Sequence, residues 1–481
     1  MNKIHNQPIH TRAIIIGGSI AGLLTARVLS DHFEEVLVIE RDKLADKPVP
    51  RRGVPQSGQT HSIHQKGAEI IQELFPDLIW DFEHAGVIPC DLGSEMRWLF
   101  FGEWMKPNRS DVFVHWCDRP QLEWQIRQRV QAMPNVQLLD DCQVVELLTD
   151  ASKEQVTGVT VRLPKEMGGK RPYMANLVVD ACGRGSRVSQ WVKQLDYPEV
   201  PVSEVKINLG YASGIFQLLE NSNPDWKALL ISAKPGLSQK LGLIYRMPNN
   251  QIKVLLAGWF GDHPPTDLEA YLQFARSLPQ PDIYETLRTA KPLAPIKAYK
   301  LQSNKWNHFE SAAKWPEGLC VVGDAVCSFN PSFGQGMTVA ALHAVALGEQ
   351  VQKLNHQGKG LAASGLSRRF QKEAAKIVNN PWMITTGEDL RFQEAEGPRP
   401  FSLPIIQNYL AQVFEIAHTN PAVAKQFFEV MTFMKEPPAF FQPVVLVPVL
   451  KHLAKKAFSP SSSRPEDGLN EPFHHNPVPM K

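Results

Sequence analysis

Residues Ala13 to Glu40 read AIIIGGSIAGLLTARVLSDHFEEVLVIE, and this stretch decides the fold. Ala13 to Ile16 form a short, β-branched apolar run, GGSIAG follows, and Ile20, Leu23, Leu24 and Val28 then recur at helical spacing. A second apolar run, Val36 to Ile39, closes a βαβ unit, which calls for a parallel sheet covered by helices. A dinucleotide-binding turn in such a unit needs glycine where the chain bends tightly and where backbone approaches a pyrophosphate. A later glycine lets the helix pack on the strand. Gly17, Ser19 and Gly22 hold these positions, with Gly18 and Ala21 among them. Serine at the second position departs from the usual pattern, yet it is small enough for close approach. The pyrophosphate is then expected at the helix N-terminus, where unpaired N–H groups and the positive dipole end favour an anion. Glu40 is the acidic residue expected about 20 positions on, at the end of the second strand, with a carboxylate able to accept both hydroxyls of an adenosine ribose.

Length and composition bound the rest. A chain of 481 residues exceeds a single core, since domains usually run to about 100 to 200 residues. Lys plus Arg number 51 against 49 Asp plus Glu, a net +2, and no run of like charge makes a basic arm, so nucleic acid is excluded as a partner. Six cysteines are scattered without a CxxC pair, which suits buried free thiols in a reducing compartment. No metal is expected: the adjacent His474 and His475 lie in a polar, proline-rich tail with no scaffold to hold one. The apolar run at Ala13 is too short for a signal segment or a membrane span, so a soluble cytoplasmic protein is expected. The stretch Pro437 to Phe458, PPAFFQPVVLVPVLKHLAKKAF, has the apolar and basic composition of a membrane-surface segment. Pro443 and Pro448 break it, and a packed core helix is the better reading.

Two further apolar runs, Asn176 to Ala181 (NLVVDA) and Gly318 to Val322 (GLCVV), each lead into a glycine-bearing turn and extend the same sheet. Between them, Val205 to Leu218 and Gly242 to Trp259 alternate as antiparallel strands, with Met247-Pro248-Asn249-Asn250 as a hairpin turn. The expected architecture is α/β. A Rossmann-like FAD-binding domain with a parallel sheet spans residues 1–80, 111–200 and 301–360. An inserted antiparallel-sheet substrate domain spans 81–110 and 201–300, followed by a C-terminal helical region over 361–458 and a disordered tail over 459–481.

The first motif alone does not separate FAD from NAD; the second, GDAVCSFNPSFGQGM from Gly323, does. With the strand GLCVV before it, this block resembles the FAD-dependent monooxygenases of the aromatic hydroxylase class. The match is to the branch labelled polyprenyl-methoxyphenol hydroxylase-like, which includes epoxidase-like members. ERDK at Glu40, RRGVPQSGQTHSIHQKGAEIIQELFP from Arg51, DRPQLEWQIRQRV from Asp118 and VVDACGRGSR from Val178 are in register with the same branch. The resemblance implies that Asp324, after Gly323, accepts a ribityl hydroxyl of the flavin. It implies that the loop Pro331 to Gly336 turns backbone N–H groups toward the flavin pyrimidine through Gly334, Gln335 and Gly336. The helix opening at Met337 would stabilise negative charge on the reduced ring. Arg41, Arg119 and Val144 complete the cofactor set that it implies. Two positions depart from the class: Cys182 stands where an aspartate credited with FAD and NAD(P)H contacts is expected, and GDAVC lacks the usual histidine after GDA.

The implied chemistry is hydroxylation or epoxidation of an apolar small molecule by O2 through a flavin hydroperoxide. NAD(P)H is the expected electron donor, or a flavin reductase as partner. His61 and His64, in QSGQTHSIHQ, are the catalytic candidates for managing protons beside the ring. Trp98, Phe100, Phe101, Trp104 and Trp259 are candidates for an apolar pocket wall and fit core packing equally well. A flavin-dependent reductase or desaturase of isoprenoid type tolerates Cys182 and is the alternative, as is a catalytically silent FAD-binding protein. No GxSxG, HExxH, P-loop or WxWxIP stretch points to hydrolase, metalloprotease, nucleotidase or halogenase chemistry.

Overall fold

The computed structural model describes residues 10–78, 88–164, 168–358, 360–361 and 364–458. Its first sheet is wholly parallel, in the order Leu319–Val321, Leu177–Asp180, His10–Ile16, Phe33–Ile39, Val136–Leu139. These strands are short and almost entirely apolar because both faces are covered. The helices Ile20–Leu29, Gly336–His356 and Leu366–Asp389 contribute Leu23, Leu347 and Phe370 to the core on one face. The runs expected at Asn176 and Gly318 thus join the sheet, side by side. Their C-terminal ends converge with that of His10–Ile16, where ligands of open α/β sheets bind.

The second large sheet runs Cys327–Ser328, Lys297–Asn307, Val202–Gln217, Gln251–Gly258, Lys240–Met247, Ala228–Ile231, Met96–Phe100, Glu103–Trp104. Its pairs are antiparallel except that Ala228–Ile231 lies parallel to Met96–Phe100. The hairpin at Pro248 closes with Met247 opposite Gln251, and Asn249 and Asn250 both take positive φ (58° and 55°), a conformation asparagine tolerates well. The boundary expected between residues 300 and 301 falls inside a strand. Lys297–Asn307 runs along Val202–Gln217 from Ser213 to Val202, and its Lys305 and Trp306 pair with Ser328 and Cys327 just past the GDA segment.

The C-terminal region is helical: Leu366–Asp389, Leu403–Ala417, Pro421–Met431 and Pro443–Phe458. The break expected at Pro443 occurs, since a 3-10 turn ends at Phe441 and Gln442 is extended, whereas the one expected at Pro448 does not. Pro443 opens the last helix, where its missing N–H costs nothing, and Pro448 lies within it. This helix is only half core: Val445 and Val449 are buried, whereas Val444, Val447, Leu450 and Leu453 are exposed. The tail expected over 459–481 lies outside the described residues. Among the described residues no helix is long and apolar enough to cross a membrane, and no cluster of three or more His, Cys, Asp or Glu is arranged to hold a metal ion.

Candidate functional site

The turn after the first strand is built around contacts that only glycine permits. Gly17 has φ +108°, and a Cβ there would lie 2.7 Å from the Ala181 carbonyl oxygen; one on Gly22 would lie 1.8 Å from the Gly17 carbonyl oxygen. Ser19 precedes the helix but does not cap it. Its hydroxyl donates to Glu123 Oε2 (2.5 Å) and accepts from Arg119 Nη2 (3.1 Å), so the first-turn N–H groups stay open to an external acceptor.

Glu40 is buried, accepting the Gly18 N–H (2.8 Å) and the Asp42 N–H (2.9 Å). Its neighbour is Arg51, which the sequence reading quoted but gave no role. Arg51 pairs at once with Glu40 (3.1 Å), Asp42 (2.9 Å) and Glu123 (2.7 Å). Burial disfavours the Arg51 charge, but Glu123 and Glu40 outweigh it and hold the guanidinium firmly protonated. Arg51 Nη2 and Arg119 Nε are buried donors with no partner among the described residues. Orphaned cationic donors beside an uncapped helix start fit a phosphate-bearing cofactor. Arg51 and Glu123 carry no motif, and nothing in the local sequence singles them out.

The second motif closes against the first. A Cβ on Gly323 would lie 3.0 Å from Ala21 Cβ, and one on Gly336 would lie 3.5 Å from Asp324 Oδ1. Between them Pro331–Phe333 makes a single 3-10 turn, Gly334 takes φ +66°, and the helix begins at Gly336, just before Met337 as expected. A Cβ on Gly334 would meet Ser62 Oγ at 2.7 Å and His64 Nε2 at 2.9 Å, so the strand His61–His64 packs directly on this loop.

His64 is buried and His61 half-buried. Desolvation, reinforced by Arg119 and Lys253, pushes the His61 pKa well below its usual value, and desolvation brings His64 to about 4. Both are therefore uncharged at pH 7, each with one donor and one acceptor nitrogen with which to orient a group, and neither is a resident imidazolium. His61 Nδ1 lies 3.1 Å from the Gln59 carbonyl oxygen, while His64 Nδ1 has no partner.

Ser19, Ala21, Arg41, Arg119, both histidines, Asp324 and the loop from Pro331 to Met337 line one cavity of about 970 Å³. Gly17, Gly18, Gly22, Glu40 and Gly323 are not among the lining residues, and neither is Val144, whose side chain lies in a separate core with Leu147, Val159 and Val161. Cys182 lines the cavity, with its N–H bonded to Asp180 Oδ1 (2.9 Å) and its thiol turned toward the Ile16 carbonyl oxygen (3.5 Å). Away from the loop the walls become apolar: Leu241, Leu243, Leu255 and Ala257 from the large sheet, then Phe414, Phe427 and Phe440 from the C-terminal helices. Trp98, Phe100, Phe101 and Trp259 belong to these walls. Trp104 does not; it lies under the Arg97 guanidinium at 4.6 Å. Two carboxyls interrupt this apolar wall, Glu388 and Asp389, both raised by burial, Asp389 to about 6.

The fit to FAD thus rests on the glycine cradle, the orphaned donors and the loop above the helix N-terminus. Comparison with known proteins agrees. Residues 222–379 match the family model described as squalene epoxidase. The chain is 31% identical over 426 residues to Protein Rv3254 of Mycobacterium tuberculosis, covering 86% of this chain and 88% of that one. Among solved structures it is similar in fold to flavin-dependent brominase Bmp2, with TM-score 0.63, 14% identity and coverage of 93% of this chain and 100% of that one. It is also similar to PqsL, a probable FAD-dependent monooxygenase from Pseudomonas aeruginosa, with TM-score 0.58, 15% identity and coverage of 79% and 96%.

Proposed function

This chain belongs to the FAD-dependent monooxygenases, and on that premise we propose that it hydroxylates or epoxidises an apolar, unsaturated or aromatic small molecule. In this reading O2 is the oxygen source and NAD(P)H or a reduced flavin partner supplies the electrons. The observation that carries it is the continuity of the cavity: one space runs from the flavin motifs to an aromatic and aliphatic chamber with few polar atoms. Bound FAD, once reduced, supplies the activation of dioxygen and the transfer of one of its atoms.

The protein contributes position and exclusion. The open first turn at Ser19, with Arg119, would hold the pyrophosphate. Backbone N–H groups at Gln335 and Gly336 and the helix start behind them would favour negative charge on the reduced ring, the Gly334 N–H being taken by the Pro331 carbonyl oxygen. Neutral His61 and His64 orient groups without competing for a proton. The apolar walls keep water from the reacting centre.

Cys182, in place of the acidic residue of the class, supports a second reading, a reductase or desaturase acting on a similar substrate. The test of both is turnover of a panel of apolar alkenes and aromatics with ¹⁸O₂, using NADH, NADPH or a flavin reductase as donor. One labelled oxygen atom per product is expected. Alkene turnover under strict anaerobiosis would sink the monooxygenase reading in favour of the second.

A further inference from the structure

Asp389 is 2% exposed and forms no ion pair among the described residues. Its carboxylate is held by three neutral N–H donors: Trp259 Nε1 (3.1 Å) and Asn330 Nδ2 (2.8 Å) on Oδ1, and Asn304 Nδ2 (2.8 Å) on Oδ2. An ionisable group in an apolar wall is costly, and an aliphatic side chain would fill the same space without that cost. What the carboxylate provides is geometry, because its donors come from three separate segments: the end of one substrate strand, the middle of another, and the residue just before Pro331.

Asn330 is held on every side. Its backbone N–H donates to Asn304 Oδ1, its Oδ1 accepts the Ser332 N–H (3.0 Å), and its amide reaches Asp389. Five residues later, Gln335 Oε1 accepts from Thr385 Oγ1 at 3.1 Å, with both residues buried. Thr385 and Asp389 are four apart on one helix and therefore share a face. A single helix face thus grips both ends of the loop from Asn330 to Gln335. Gly334, inside the loop, adds no side chain of its own to fix it. The same helix end turns Trp382, Thr386, Gly387 and Leu390 to the apolar chamber.

Resting on the reading of Pro331–Gly336 as the flavin loop, we infer that the end of the Leu366–Asp389 helix is a clamp that sets this loop from the substrate side. Thr385 and Asp389 are its two positioning residues. Neither touches the reacting atoms; both act through Asn330 and Gln335. Whatever presses on the chamber wall at Trp382 to Leu390 presses on the loop, so that one stretch of wall and the loop move together.

The test uses full-length protein reconstituted with FAD and the variants Asp389→Asn, Thr385→Val, Thr385→Ser and the Asn/Val double. Each is measured for FAD dissociation constant, visible absorption of the bound flavin, and melting of the apoprotein. Asp389→Asn and Thr385→Val are each expected to weaken FAD about tenfold and to shift the flavin band. Thr385→Ser, which keeps the hydroxyl, is expected to match the unaltered chain. The double variant is expected to lose less than the product of the singles, because both grips act on one loop. Apoprotein melting separates a clamp from a strut, since Asp389→Asn removes a buried charge and leaves the melt equal or higher. Unaltered FAD affinity and band in Asp389→Asn and Thr385→Val overturn the clamp, whatever the melt does, and so does a Thr385→Ser that fails like valine. If the unaltered chain takes up no FAD, it is the monooxygenase reading that falls; if it does and the variants match it, the clamp alone falls.

Discussion

The FAD cradle and the apolar chamber share one cavity but are made in different ways. The cradle is backbone: a glycine turn, an uncapped helix start and a loop with one left-handed residue, each contained within about a dozen consecutive positions. The chamber is side chains, with Trp98, the hairpin pair Leu243 and Leu255, and Phe427 arriving from three segments each more than a hundred positions from the next. A cofactor shared across a class can be held by geometry that tolerates no variation, whereas a substrate is read by surfaces that exchange one apolar side chain for another.

That contrast is broken most severely at Gly22. A valine there drives its Cβ into the Gly17 carbonyl oxygen. Gly22→Val is expected to purify colourless, with FAD affinity reduced by at least about a hundredfold, as judged by flavin absorbance after reconstitution. Retention of yellow colour would mean that the turn is not the phosphate site.

The next effect tests the cradle's charge rather than its backbone. Arg51 is the shared counter-ion of Glu40, Asp42 and Glu123, all with side chains 13% exposed or less. Arg51→Ala leaves three carboxylates facing one another and is expected to cost about 3–5 kcal/mol, read from chemical denaturation of the apoprotein. A cost below about 1 kcal/mol, the range of exposed pairs, would show that water already screens this cluster.

These residues also mark the limit of what the sequence discloses. The βαβ opening, Glu40 and the GDA block were legible because periodicity, glycine spacing and strand ends are local signals. Lys297–Asn307 was divided at residue 300 because its strand character comes from pairing with Val202–Gln217, nearly a hundred positions earlier. Pro448 was read as a break because local sterics argue against it, while Val445 and Val449, buried on the neighbouring helices, keep the helix intact. Arg51, Glu123 and Asp389 were missed for a common reason: each matters through partners brought by tertiary structure, and an isolated charge in a sequence looks like surface.

His64 joins the two regions and gives a smaller, pH-dependent effect. Its folded pKa lies below its unfolded value, so the neutral imidazole contributes stability that is complete above pH 6.5 and is lost as pH falls toward 4. At pH 5 the loss is about 2 kcal/mol relative to pH 7. His64→Gln is expected to flatten the stability profile by about that amount between pH 7 and 5. The profile will not become level, because His115 and His343, also brought to about 4 by burial, destabilise in the same window. An unchanged acid slope would place His64 in contact with water.

The smallest effect on the cofactor belongs to the chamber, which makes it the sharpest test of the division. Leu255 faces the cavity between Leu243 and Ala257, away from the glycine turn, and Leu255→Trp puts an indole into that space. FAD affinity is expected to stay within about twofold, because no backbone contact of the cradle changes. Occupancy of the chamber by an apolar dye such as 1-anilinonaphthalene-8-sulfonate is expected to fall about tenfold as its volume is taken. If FAD affinity drops with dye binding, chamber and cradle are a single packed unit. The clamp at Thr385 and Asp389 would then be the route by which a side chain on the substrate sheet reaches the flavin loop.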